Sequence, residues 1–247
     1  MNSHVLVVTG GGRGIGAEIV RGAAARGIAV GFSYQSNEQA ALALVEEITG
    51  AGGVAFAVRQ DVAAPESARS LMDAIEARLG PVSMVVNNAG ITGPIGSFVA
   101  ATVDTLRRTT EVNLLGTMWL AQEAARRWLA RGTAGRMVNV SSIAATLGAP
   151  GEYVHYAATK AGVEALTVGL GKELAPKGIR INAVSPGTVF TDIHAAAGEP
   201  NRPARVVSRI PSGRVGEPEE IAAAVLWLLS DEASYVNATV LRVSGGI

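Results

Sequence analysis

The chain of 247 residues contains no cysteine. That excludes a disulfide framework, a thiolate nucleophile and a Cys-ligated metal, and it fits a reducing compartment. Aromatic residues make up only 4%, so a core has to be assembled from Ala, Val, Leu and Ile. No apolar run approaches the ~20 residues needed to cross a bilayer; the run 221–229 is among the longest and falls well short. The apolar start at 5–8 is interrupted at once by Thr9 and glycines, which is not a signal-peptide pattern, and residence in the cytoplasm is the expectation. Neither sign of charge is in surplus, since Lys+Arg and Asp+Glu both count 21. Nothing therefore speaks for nucleic acid or for a polybasic membrane contact. No His/Asp/Glu cluster has metal-ligand spacing, and no metal is expected.

What is present is a globular balance: 48% hydrophobic, 17% charged, with 30 glycines. Short β-branched runs alternate with longer Ala-rich stretches of helical pattern. Strands are expected at 4–8, 28–33, 54–58, 82–86, 136–140, 179–184 and 238–243. Helices are expected at 14–26, 38–50, 65–79, 103–131, 153–175 and 217–230. The strands are continuously apolar rather than alternating, as in strands covered on both faces. The order predicts right-handed crossovers and an α/β doubly wound Rossmann fold, an approximately seven-stranded parallel sheet flanked by helices on both faces. No linker or repeat divides the chain, so one domain over 1–247 is expected. The segment 188–212 lacks a clean period and is long for a connection; it is expected to cover a substrate.

The first strand runs into Thr9-Gly10-Gly11-Gly12-Arg13-Gly14-Ile15-Gly16, followed by a helix. Glycines permit a sharp turn and close approach to a pyrophosphate, and the helix N-terminus offers free N–H groups and a favourable dipole. Gly12, Gly14 and Ala17 fit one dinucleotide spacing, and Gly10, Gly14 and Gly16 a wider one. An acid ending the second strand would bind a ribose 2′-hydroxyl and favour NAD(H). Here Tyr34-Gln35-Ser36-Asn37 carry none. Arg13 in the turn is suited to a 2′-phosphate, so NADP(H) is favoured over NAD(H). Ser36 and Asn37 can serve that cofactor or cap the next helix.

Tyr156 and Lys160 are four apart on an expected helix and share a face. A tyrosine titrates near pH 10, and a neighbouring ammonium lowers that value. The pair is chemically suited to interconverting an alcohol and a carbonyl, although spacing alone equally allows a packed Tyr beside a surface Lys.

Several ordered motifs together resemble the short-chain dehydrogenase/reductase family, over nearly the whole chain from Thr9 to Ser244-Gly245-Gly246. They are the turn at 9–16, Asp61-Val62, Asn87-Asn88-Ala89-Gly90, Asn113 in Glu111-Val112-Asn113, Ser141-Ser142, Tyr156-Ala157-Ala158-Thr159-Lys160 and Pro186-Gly187-Thr188. Within the family the chain resembles bacterial 3-oxoacyl-acyl-carrier-protein reductases and glucose dehydrogenases. The resemblance implies that Tyr156 moves the substrate proton, that Lys160 binds the nicotinamide ribose and lowers the Tyr156 pKa, and that Ser142 bonds the substrate oxygen. It implies that Asn113 holds a water linking Lys160 to solvent. Gly10, Gly12, Arg13, Gly14, Ile15 and Gly16 would cradle the pyrophosphate, and Asp61 and Val62 the adenine. Asn88, Ala89 and Gly90 would border the adenosine and ribose, with Pro186, Gly187 and Thr188 at the carboxamide.

The expected partner is a small-molecule carbonyl or alcohol. A 3-oxoacyl thioester competes with a sugar or small alcohol, and Arg126, Arg127 and Arg131 are the charges an acyl carrier would need. A non-catalytic nucleotide-binding sensor is the reading from another class. The family implies a homotetramer or homodimer packed through 103–131 and 153–175, where Gly162, Gly169 and Gly171 would allow close approach. His155 is expected at the surface or the pocket rim. His194 is read evenly as exposed or as touching substrate. Trp119 and Trp128 are assigned to core or subunit contacts, and 217–220 to a helix start.

Overall fold

The computed structural model describes residues 4–247. Strands β1 (Val5–Val8), β2 (Ala29–Tyr34), β3 (Ala55–Arg59), β4 (Met84–Asn87), β5 (Arg136–Val140), β6 (Arg180–Pro186) and β7 (Val240–Val243) form one sheet in the order β3-β2-β1-β4-β5-β6-β7. Every neighbouring pair is parallel. The order reverses between β1 and β4. At that point the crossovers leave in opposite directions and open a crevice beyond the carboxyl ends of the strands.

Side chains alternate across the sheet, and both faces are covered. Leu6, Val8, Val30, Phe32, Val86, Val138 and Val184 pack with α1 (Gly14–Ala24), α2 (Glu38–Gly50) and α10 (Pro218–Leu229). Val5, Val7, Val85, Met137 and Ile181 pack on the other face with α3 (Ser67–Leu79), α5 (Gly116–Arg131) and the end of α7 (Val154–Leu174). This two-sided cover is why the strands read as unbroken apolar runs. Trp128 is fully buried, and its indole N–H donates to the Val82 carbonyl (2.9 Å). Trp119 packs partly buried against the same core.

Three sequence expectations change in detail. The stretch 103–131 is not one regular α-helix: α4 (Val103–Thr110) passes through a π turn at Glu111–Leu115 into α5. Such turns insert an extra residue and often occur at functional positions; here the turn contains Asn113. The segment 188–212 is not irregular throughout. It folds into two short helices, α8 (Ile193–Ala196) and α9 (Arg202–Val206), and a final turn at Val207–Arg209. The remaining short helix, α6 (Ala144–Leu147), follows β5. Finally, Gly171 is explained within the chain and needs no subunit contact. A Cβ there would come within 2.9 Å of the Ala238 Cα. The helix start at 217–220 is as expected, with the Glu217 N–H donating to the Glu220 carboxylate (2.9 Å). Among the described residues no helix is long and apolar enough to cross a membrane.

Candidate active site

A cleft of ≈790 Å³ opens at the carboxyl ends of the strands. One wall is the turn between β1 and α1. Gly10 and Gly14 adopt φ of +64° and +51°, a region that favours glycine. A Cβ on Gly16 would overlap the Gly10 carbonyl oxygen, so the first turn of α1 can approach the strand only with glycine there. The neighbouring loop after β4 is fastened to this turn. The Asn88 side-chain amide donates to the carbonyls of Thr9 and Gly10 (3.0 Å each), and the N–H groups of Asn88 and Ala89 donate to the Thr9 hydroxyl (3.0 and 3.1 Å). The order of the two motifs in the sequence thus becomes a physical joint at the switch point.

The cleft-lining residues include Gly10, Gly12, Arg13, Gly14, Ile15 and Gly16 from this wall, and Ser36 and Asn37 from the end of β2. They also include Asp61 and Val62 after β3, Asn88, Ala89 and Gly90 after β4, Ser142 after β5, and Pro186, Gly187 and Thr188 after β6. Tyr156 and Lys160 close the inner end. Asn37 also caps α2, its side-chain oxygen accepting from the Ala40 N–H (3.0 Å). The nearest acid in that region, Glu38, accepts from the Tyr34 hydroxyl (2.9 Å) and does not line the cleft. Arg13 is exposed and lies 3.9 Å from Asp192. Asp61 is not a free carboxylate. Burial would raise its pKa, but hydrogen bonds from Arg108 (2.9 Å to each oxygen) and the Ala63 N–H (3.0 Å) hold it below the usual value.

Tyr156 and Lys160 project from one face of α7, and both are buried. The Lys160 ammonium donates to the Val140 carbonyl (2.7 Å) and sits 5.7 Å from the Tyr156 ring centroid. Burial pulls the lysine down to about 8. The expectation that Lys160 would leave Tyr156 with a lowered pKa is corrected. Burial of the phenol dominates and raises it, with the Ser142 hydroxyl and the charge of Arg202 opposing. Ser142 lines the same cleft as Tyr156, its hydroxyl oxygen accepting from the Ala144 N–H (3.2 Å). Ser141 instead donates to Glu164 (2.8 Å).

Asn113 does not line the cleft. It lies fully buried behind it, donating to the Ile91 carbonyl (2.8 Å) and to Thr159 (3.1 Å) and accepting from the Ile91 N–H (2.9 Å). His155 is also buried rather than at the surface, and its Nε2 meets the Thr92 carbonyl at 2.7 Å. His194 is buried at the cleft edge, with Nε2 3.0 Å from the Val189 carbonyl.

Sequence reasoning missed Arg108 and also the outer wall of the cleft, formed by Glu152, Tyr153 and Arg202. Tyr153 stands three before Tyr156, a spacing that would have placed both on one helix face. Its ring meets that of Tyr156 edge-on, with centroids 5.4 Å apart. Arg202 comes from α9 and binds Glu152 (2.6 Å). Of the three arginines expected as a basic rim, Arg127 and Arg131 are tied to Glu76 at 2.7 and 2.6 Å, Arg126 is exposed, and none lines the cleft.

The donors fit a dinucleotide. The glycine turn leaves room beside free helix N–H groups, with no acid in the first turn of α1. The buried lysine spends one of its three N–H donors on the protein and keeps the others for a ligand. Comparison with known proteins agrees. A family model described as Enoyl-(Acyl carrier protein) reductase matches residues 10–247. The chain is 40% identical to a 3beta-hydroxysteroid dehydrogenase 1 of Eggerthella lenta, covering 100% of this chain and 94% of that protein. It is 39% identical to an L-rhamnose 1-dehydrogenase (NAD(P)(+)) of Azotobacter vinelandii, covering 98% and 95%. The crystal structure of a blue fluorescent protein from a metagenomic library, in complex with NADPH, superposes with a TM-score of 0.90 at 34% identity, covering 99% of this chain and 98% of that one. The glycine joint at the switch point and these full-length likenesses lead to one assignment: the chain belongs to the short-chain dehydrogenase/reductase family, the NAD(P)-dependent oxidoreductases that act on alcohol and carbonyl groups.

Proposed function

We propose that the protein interconverts a small polar alcohol and its carbonyl with NADP(H), and that Tyr156 moves the proton. The observation that carries this reading is the buried Tyr156–Lys160 pair at the inner end of the glycine-walled cleft. Bound nicotinamide supplies or accepts the hydride. The protein's own part is proton management and orientation. Burial keeps the Tyr156 phenol protonated at neutral pH, ready to donate to a carbonyl oxygen. Oxidation of an alcohol requires the phenolate and is therefore favoured at higher pH. Ser142 holds the substrate oxygen beside the phenol. Lys160 turns its free N–H donors towards the ribose hydroxyls. Asn113 acts as a positioning residue by fixing the backbone at Ile91.

The preference for NADP(H) rests on Arg13 and on the lack of an acid among the lining residues at the end of β2. Asp61 and Val62 border the adenine, Asn88, Ala89 and Gly90 the adenosine and ribose, and Thr188 the carboxamide. For the substrate, a sugar is the better reading. Glu152, His194 and Arg202 set polar groups among the apolar residues of the outer wall, and one relative is an L-rhamnose 1-dehydrogenase by name. The thioester reading keeps only Arg126 of its expected basic rim, because Arg127 and Arg131 are neutralised on α3. Assembly into dimers or tetramers would use α5 and α7, where Met118 and Val154 are exposed.

The test is binding of NADPH and NADH measured separately, followed by an aldose panel that includes L-rhamnose. Tyr156→Phe should keep cofactor binding and lose about 10²–10⁴-fold in turnover. A variant with near wild-type turnover would overturn the mechanism.

A further inference from the structure

We propose that Arg202, on the cover of the cleft, is a positioning residue for Tyr156, and that with Glu152 it ties the placement of the cover to the acid–base step. The inference rests on the reading of Tyr156 as the proton donor.

The connection is a short chain of contacts. Arg202 Nε and Nη2 donate to one oxygen of Glu152 (3.1 and 2.6 Å). The guanidinium carbon lies 5.3 Å from the centroid of the Tyr153 ring. That ring meets Tyr156 edge-on, at 5.4 Å and 83°. Two side chains, Arg202 and Tyr153, thus lead from α9 to the phenol ring. The arginine is well shielded, with a side-chain exposure of 13%, and Glu152 is at 16%. Interactions of this kind are strengthened where water is excluded.

The anchor on the other side is equally specific. Glu152 precedes α7, and its second oxygen accepts from Arg205 of α9 (2.7 Å). Arg205 in turn pairs with Glu199 (2.5 Å). The segment after β4 joins the same corner. The Ile95 N–H donates to the Ala197 carbonyl (2.9 Å), and the Gly96 N–H to the Glu152 carbonyl (2.8 Å). The cover is therefore docked on the start of the helix that carries Tyr156.

The charges around Tyr156 come from several elements. Lys160 lies above its ring from the same helix. Arg202 and Glu152 stand behind Tyr153, and Arg205 and Glu199 lie beyond them. His194 is at the cleft edge, and His155 is turned away to the Thr92 carbonyl. Two carboxylates and two guanidiniums balance in the outer cluster. Without Arg202, Glu152 would keep only Arg205 and would place a less compensated negative charge behind the tyrosines. That disfavours the phenolate. The direction agrees with the opposing influence of Arg202 on Tyr156 noted above.

The experiment titrates Tyr156 in the full-length protein with saturating NADP⁺. It follows tyrosinate ultraviolet absorbance as a difference from Tyr156→Phe, and it needs no substrate. Arg202→Met is expected to move the Tyr156 titration to higher pH by at least half a unit. Oxidation of the best aldose of the panel should then fall about threefold below the alkaline limb of the kcat profile and recover at its plateau. Arg202→Lys should restore most of the shift. Glu152→Gln should move the titration to lower pH, which provides an independent reading if Arg202→Met does not fold. A loss of activity uniform with pH, with the Tyr156 titration unmoved in Arg202→Met or Glu152→Gln, would reduce Arg202 to a packing role and overturn the proposal. If Tyr156→Phe itself remains active, the proton-donor reading fails first. If Tyr156→Phe is inactive and the titration does not move, only the role of Arg202 falls.

Discussion

Replacing Glu76 with Gln removes one charge from the clasp between α3 and α5 while leaving an oxygen that can still accept from the Val82 N–H. In the structure Glu76 receives Arg131 (2.6 Å to each oxygen), Arg127 (2.7 Å) and the Val82 N–H (3.0 Å). Burial would raise its pKa, but these bonds outweigh burial and hold the carboxyl at about 2, against an ordinary 4.5. Because the folded value lies below the unfolded one, the contribution to stability is present above the unfolded pKa and is lost as pH falls towards the folded one. At 1.36 kcal/mol per unit, the shift amounts to about 3 kcal/mol at neutral pH, and the side chain is shielded enough, at 13% exposure, to need little discount for solvent. By pH 3.5 linkage leaves about 2 kcal/mol. Thermal unfolding followed by circular dichroism at equal protein concentration should show Glu76→Gln melting about 6–12 °C lower at pH 7, at about 2–4 °C per kcal/mol for a chain of this size. The gap should narrow at pH 3.5. A gap below 1 kcal/mol at neutral pH, or one of equal size at both pH values, would refute the claim that an ionised Glu76 holds the two helices.

Two other outcomes follow from the cleft. Gly16→Ala places a Cβ against the Gly10 carbonyl and 2.6 Å from the Asn88 amide nitrogen; NADPH affinity, read by fluorescence titration, should fall at least about tenfold, with a stability loss of about 1–3 kcal/mol from overpacking. Oxidation by the wild type should increase with pH and reduction decrease, because burial raises the Tyr156 pKa and only the phenolate accepts a proton; initial rates in both directions across pH, with opposite slopes, check this.

The strands and the glycine turn were legible because their signals are local. β1 and β4 are buried on both faces and read as unbroken apolar runs. Glycines at 10, 14 and 16 mark a turn that backbone geometry requires. The ordered motifs also placed Tyr156, Lys160 and Ser142 at one site. What escaped was set by distance along the chain. Arg108 grips Asp61 across 47 residues, and Arg202 grips Glu152 across 50; no periodicity reports such pairs. The π turn was hidden because the apolar pattern of 103–131 continues through it, and α8 and α9 are too short to show a helical period. Proximity of Lys160 to Tyr156 is visible in spacing, whereas the burial of the phenol that raises its pKa is not.

The switch in strand order has a consequence for how the molecule comes into being. Its cleft draws on loops after β1 through β6, so the binding surface is spread over most of the chain. The joint between Thr9 and Asn88 spans 79 residues, and Tyr156 arrives later still. Parallel pairings of this reach close large loops before they are rewarded, which slows folding. During synthesis the glycine turn emerges long before the loop that fastens it. Affinity for a dinucleotide should therefore rise late and steeply as the chain lengthens, tracking the arrival of β4 and α7 rather than that of the glycines.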